Sequence, residues 1–140
     1  MKVSVITVCL NCETTIEKTI NSVISQNYNN LEYIIIDGGS EDNTLKIINK
    51  YKDRITKIVS EKDNGIYDGI NKGIKFSSGD IISLLHGNDI FANSNAISKV
   101  ANCFKENNEA EIILSDSAFK KSLNSKSITR YYSAKNFRPW

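Results

Sequence analysis

At 140 residues, with 40% hydrophobic and 24% charged side chains, the chain has the makeup of one soluble domain that buries a core without staples. A net charge of +2 excludes a nucleic-acid-scale positive field, and no apolar run approaches the ~18 residues of a membrane span. Met1-Lys2 leads straight into apolar residues with no signal-peptide pattern, and three cysteines in that setting point to a reducing, cytoplasmic compartment.

Residues 3–8 are short and β-branched, as a buried central strand is. Ile16, Ile20, Val23 and Ile24 then recur at helical spacing. Residues 31–36 form a second apolar run that stops at Asp37-Gly38-Gly39-Ser40, a turn whose last residue reads as a helix N-cap. Leu45, Ile48, Tyr51 and Ile55 mark one face of a second helix. A weaker strand covers 55–59, Asp63-Asn64-Gly65 makes a turn, and Ile66, Ile70 and Ile74 repeat every four residues on a third helix. Gly79 is expected to close that helix as a C-terminal cap.

Residues 81–85 form a fourth strand ending at His86-Gly87-Asn88-Asp89. Ile97, Val100, Ala101 and Phe104 mark a fourth helix at i, i+3, i+4 and i+7. Residues 111–114 read as a fifth strand, and 128–132 as an extra one. Strand–helix alternation with short links specifies an α/β fold with a mostly parallel sheet and helices on both faces. Ligands on such sheets bind beyond the carboxyl ends of the strands. The polar clusters fall at those ends: Asn11 after the first strand, Asp37 after the second, Glu61 to Asn64 after the third, and His86 to Asp89 after the fourth.

Four segments, in order, resemble family 2 glycosyltransferases. They are the opening strand with Asn11 and the stretch from Ser22 to Tyr28; Tyr33 to Thr44, similar to D-G-x-S-x-D-x-T; Asn64 to Ile74, similar to G-I-Y-D-A-x-N-x-G-I; and Gly79-Asp80 followed by a strand and Asn88-Asp89. Together they cover roughly 110 residues. The resemblance implies a GT-A fold, a three-layer α/β/α sandwich, in an inverting enzyme that moves a sugar from a nucleotide-diphosphate donor, most simply a UDP-sugar. The acceptor it implies is a hydroxyl of a saccharide or lipid-linked molecule in cell-surface polysaccharide, lipopolysaccharide or glycolipid assembly.

By that resemblance Asp37 accepts a hydrogen bond from the nucleobase, Thr7 and Asn11 flank the base, and Asp68 and Asn71 floor the donor pocket. Each also has a plainer reading in turn, cap or helix-dipole chemistry. Asp89 stands as the ligand of a divalent cation, Mg²⁺ or Mn²⁺, bridging the diphosphate. The family pattern has two adjacent aspartates, and here the first is Asn88, whose amide can still bond ribose or a metal-bound water. His86 stands where the family often has Asn, either as a hydrogen-bonding wall or as a ligand.

The catalytic base lies well downstream of the metal motif in the family, which places it beyond residue 140. Asp116 resembles a position on the acceptor side and is not assigned as base. Phe137-Arg138-Pro139-Trp140 is an odd end for a domain, so residues 1–140 are expected to be one domain cut short on its acceptor side. A catalytically incomplete nucleotide- or sugar-binding fragment, or an interaction module, is the alternative from another class.

Cys9-Leu10-Asn11-Cys12 is a C-x-x-C between strand and helix, the setting of a thioredoxin-type site. Such folds need a cis-proline facing the dithiol, and the one proline is Pro139. Cys103 and His86 lack zinc-ligand spacing. A dinucleotide-binding domain would want G-x-G-x-x-G after the first strand, which is absent. Lys120, Lys121, Lys126, Arg130, Lys135 and Arg138 gather late, as a solvated basic face or one suited to phosphates or anionic head groups, which would allow peripheral association with the inner face of a membrane. No nucleic-acid partner is expected.

Overall fold

Seven consecutive buried residues make Val3–Cys9 (β1) a central strand of a computed structural model that describes residues 1–121, 125 and 127–136. Each β-branched side chain fits the pleat on whichever face it points to, and both faces are covered. The chain then runs through α1 (Ile16–Ile24), β2 (Leu31–Asp37), α2 (Thr44–Asn49), a 3₁₀ turn at Lys52–Arg54, β3 (Lys57–Ser60), α3 (Ile66–Phe76), β4 (Ile81–Leu84) and α4 (Ala96–Glu106). It falls into two compact units, Met1–Lys105 and Glu106–Trp140.

In the first unit four parallel strands lie in the order β3-β2-β1-β4. Cys9 pairs with Asp37, and Asp37 with Ser60, so three strands end level. On one face Val3, Val5, Cys9, Tyr33 and Ile35 pack with Ile16, Ile20, Ile48, Ile97 and Ala101 of α1, α2 and α4. Each fully buried isoleucine there contributes roughly 2 kcal/mol. On the other face Ile6, Val8, Ile34 and Ile36 meet Ile70 of α3. The contact face of α3 is glycine: a side-chain carbon at Gly69 would come 2.6 Å from Val8 Cγ1, and one at Gly73 2.4 Å from Ile6 Cγ2. Ile66 and Ile74, which carry the repeat along α3, are instead exposed.

At the amino end of the sheet the buried Glu32 accepts hydrogen bonds from Lys2 Nζ at 2.8 Å, Ser4 Oγ at 2.6 Å, Ser78 N at 2.8 Å and Ser78 Oγ at 2.7 Å. Burial works to raise its carboxyl, but these donors outweigh it and hold it down at about 2. The network welds β1 and β2 to the approach into β4, opposite the end that carries the polar clusters.

Several local expectations are corrected. Gly79 is not the cap of α3, which ends at Phe76 with Ser77 in extended backbone. A side-chain carbon at Gly79 would lie 2.5 Å from Ser4 Oγ and 2.7 Å from Ser4 N, so this glycine serves a close strand approach. Ser40 is not the N-cap of α2, which starts at Thr44 after Asn43, because Ser40 is bound to Asp37. The second helix ends at Asn49, short of Tyr51 and Ile55. Residues 111–114 form no strand: no neighbouring strand pairs with them, and Ile112 is 77% exposed.

The second unit contains an antiparallel hairpin, β5 (Ser117–Lys120) and β6 (Ile128–Tyr132). Its strand at 128–132 agrees with the expectation from the sequence. Asp116 braces it, accepting from the Tyr131 hydroxyl and, at 2.7 Å, from the Ala134 N–H. These donors hold the Asp116 carboxyl below the usual range. Lys126 and Phe137-Arg138-Pro139-Trp140 lie outside the described residues. No helix among the described residues is long and apolar enough to cross a membrane.

Candidate functional site

The ends of β1, β3 and β4 surround a cleft of about 230 Å³. Val8, Cys9, Leu10 and Cys12 form one wall, Asp63, Gly65 and Ile66 the second, and His86, Gly87 and Asn88 the third. This is the position general to ligands of open parallel sheets.

Gly87 sets the spacing of the β1 and β4 walls. Its N–H donates to Val8 O at 3.0 Å, and its carbonyl accepts from Thr15 Oγ1 at 3.0 Å and Thr19 Oγ1 at 3.1 Å. Thr15 Oγ1 is also 2.6 Å from Asn88 Oδ1. The exit of β4 is thereby tied to the first turns of α1, and Asn88 is held at the cleft. Asp89 follows, its N–H on His86 O at 2.9 Å and its side chain exposed. His86 lines the cleft, and its Nδ1 is buried without a hydrogen-bond partner, a polar atom that points to a ligand.

The β2 exit stands behind this front. Asp37 is fully buried and occupied: Oδ1 accepts from Ser40 Oγ at 2.5 Å, and Oδ2 from Ser60 Oγ at 2.6 Å and Ser40 N at 3.2 Å. Asn11, at φ 50°, closes the turn from β1. Its N–H reaches Ser40 Oγ at 2.8 Å and its Oδ1 accepts from Glu41 N at 3.0 Å. Asn11 and Asp37 therefore clamp the β1 and β2 exits together. Thr7 stands apart from both, fully buried in the sheet and 3.2 Å from the Tyr33 hydroxyl.

Asp63, a turn residue within the Glu61 to Asn64 cluster to which the sequence gives no individual role, supplies the carboxylate that lines the cleft. Its Oδ1 accepts from Gly65 N at 3.0 Å, and a side-chain carbon at Gly38 would lie 2.7 Å from its Oδ2. The signal was its place directly before the Asn64-to-Ile74 segment. Asp68 lies one step back, accepting from Asn64 N at 3.1 Å and paired with Lys72 at 3.3 Å. The Asn64 N–H first, then the Lys72 ammonium, hold its carboxyl below the usual range. Asn71 is exposed on α3.

Cys9 and Cys12 are free thiols. Burial, with the Asp37 charge adding to it, pushes the Cys9 thiol far up. That leaves it a poor nucleophile.

The model of the family described as glycosyl transferase family 2 matches residues 4–139. The chain belongs to glycosyl transferase family 2. Its sheet and flanking helices are those of a GT-A fold. An Escherichia coli relative, UDP-Glc:alpha-D-GlcNAc-diphosphoundecaprenol beta-1,3-glucosyltransferase WfaP, is 40% identical over 90 residues, 62% of this chain and 35% of that protein. Staphylococcus aureus TarS, solved as residues 1–349 with UDP, superposes with a TM-score of 0.69 at 27% identity, over 76% of this chain and 32% of that one. Mycobacterium tuberculosis glucosyl-3-phosphoglycerate synthase, solved with Mn²⁺, UDP and phosphoglyceric acid, gives a TM-score of 0.54 at 25% identity, over 61% and 32%. The chain spans about a third of the length of the first curated relatives it matches.

For a family 2 member the donor set at Asp89 fits a hard divalent cation. The carboxylate is exposed, and among the described residues no group of three or more His, Cys, Asp or Glu is gathered to hold an ion, at Asp89 or elsewhere, so a cation there would need oxygens from the ligand. One carboxylate completed by diphosphate oxygens and water is how Mg²⁺ is commonly bound.

Proposed function

We propose that the chain forms the donor-binding part of an inverting glycosyltransferase that uses a UDP-sugar in cell-surface polysaccharide or glycolipid assembly, working at the cytoplasmic side of the membrane. The reading rests above all on one observation: Asp63, His86 and Asn88 face a single cleft at the strand ends of a family 2 member, with Asp89 directly after Asn88.

In this reading the uridine lies against the apolar wall of Val8, Leu10 and Ile66, and Asp63 accepts from its N–H. Leu10 and Ile66, 54% and 47% exposed, offer the flat apolar surface that a base covers. Asp37 and Asn11 act as positioning residues that hold the loop behind the base, and Asp68 and Asn71 border the donor on the α3 side. Asp89 would hold Mg²⁺ or Mn²⁺, which would supply positive charge against the departing diphosphate. Asn88, fixed by Thr15, bonds the ribose or a water. An acceptor hydroxyl then attacks the anomeric carbon from the face opposite the phosphate. The new C–O bond forms as the sugar–phosphate bond breaks, and UDP leaves with that electron pair. The hydroxyl proton goes to a general base, an Asp or Glu carboxylate in chemistry of this kind.

Equilibrium dialysis of UDP with and without Mn²⁺ tests the assignment of Asp89. Asp89→Ala is expected to remove the Mn²⁺-dependent part of binding. Unchanged Mn²⁺ dependence in a folded variant would sink the assignment.

A further inference from the structure

The charge of this chain is divided unevenly. All sixteen acidic residues lie at or before Asp116, while residues 117–140 contain six basic residues and no acidic one. Residues 1–116 therefore carry −4 and the rest +6, a contrast that the total of +2 conceals. Such asymmetry is a mark of a segment that seeks an anionic partner.

The hairpin β5–β6 places part of that charge among apolar and aromatic side chains. Every residue of both strands is exposed, and Phe119, Ile128, Tyr131 and Tyr132 are each more than half so. Lys120, Lys121, Arg130 and Lys135 stand between and beside them. A two-stranded hairpin is marginal alone in water, and one with this much apolar surface calls for a cover. Tyrosine at the boundary of an apolar and a wet phase, with lysines that lay their stems on the apolar side, is the composition of a membrane-interface element.

The ring geometry argues against single-stranded nucleic acid. Phe119 and Tyr132 meet edge to face, at 5.7 Å and 76°, and the Arg130 guanidinium lies 5.9 Å over the Tyr132 ring. A base needs an open aromatic face to stack on, and the Tyr132 ring is already engaged by both of these neighbours.

We propose that the β5–β6 hairpin is a docking element for an anionic lipid surface, with Lys120, Lys121, Arg130 and Lys135 drawing it to the head groups and Phe119, Ile128, Tyr131 and Tyr132 entering the interface. Its test involves no nucleotide, so its outcome does not depend on the donor-site reading.

The test is co-sedimentation of the full chain with vesicles of equal parts phosphatidylglycerol and phosphatidylcholine, beside pure phosphatidylcholine. The chain binds the anionic vesicles, leaves the neutral ones in solution, and is released by added salt. Substituting Lys120→Gln, Lys121→Gln and Lys135→Gln together removes three exposed charges, of which Lys135 also favours the Asp116 carboxylate that braces the hairpin. Affinity is expected to drop about fivefold per charge, on the order of a hundredfold in all, with an unchanged circular dichroism spectrum. Three results would each overturn the proposal: no binding of the folded chain to anionic vesicles, equal binding by the triple variant, or binding to a single-stranded oligonucleotide under conditions where vesicles are ignored.

Discussion

Replacing Gly87 with alanine is the sharpest test of how the cleft is built. The added carbon would sit 2.6 Å from Cys9 Cβ and 3.1 Å from Cys12 Sγ, where carbon–carbon contact prefers about 3.5–4.0 Å. Cys9 Cβ cannot rotate away, because it is fixed to the backbone of β1. The exit of β4 must therefore move about 1 Å from β1, against the contact optimum just given. That movement loads the Val8, Thr15 and Thr19 hydrogen bonds that converge on Gly87. Overpacking costs about 1–3 kcal/mol, and a weakened buried hydrogen bond about 1 more, so a loss of about 2–4 kcal/mol is expected by urea unfolding. UDP binding should weaken as well, since Asn88 moves with the loop. A double-mutant cycle with Cys9→Gly isolates the clash. Cys9→Gly destabilises by itself, but the pair should cost at least ~1 kcal/mol less than the two single losses together. A Gly87→Ala protein within ~0.5 kcal/mol of the parent, or a cycle that is strictly additive, would refute the close approach.

Two further predictions concern the sheet. Glu32 is held at about 2 against an ordinary 4.5, so its stabilisation is present above pH 4.5 and is lost as pH falls toward 2, a contribution of about 3 kcal/mol. Glu32→Gln should remove most of that at pH 7 and flatten the acid limb of stability against pH; an acid limb as steep as the parent's would contradict it. Tyr33→Phe or Thr7→Val alone leaves one buried hydroxyl unpaired and should cost about 1–3 kcal/mol, whereas the double variant should recover much of the loss. Thr7→Val should also leave UDP affinity unchanged, and a clear loss would move Thr7 from the core to the binding surface.

The strand–helix order was legible because β-branched runs and helical repeats are local signals, and the placing of polar clusters at strand ends follows from them. What escaped depended on contacts between segments distant in sequence. Gly79 resembles a cap until Ser4 is seen beside it, and Ser40 resembles one until Asp37 claims its hydroxyl. Residues 111–114 have the composition of a strand, but a strand exists only where another pairs with it. Asp63 was legible as part of the polar cluster after β3, but nothing local shows that its carboxylate, of that cluster, turns into the cleft beside Gly38. Asp37 drew attention for its place after β2, and only the positions of Ser40 and Ser60 show that its oxygens are already engaged.

The central claim, a nucleotide-diphosphate donor held at the ends of β1, β3 and β4, is tested most directly by calorimetric titration of the chain with UDP in the presence and absence of Mn²⁺. Saturable one-to-one binding that strengthens with Mn²⁺ is expected. A folded protein that gives no binding heat in either condition, at more than one temperature, would contradict it.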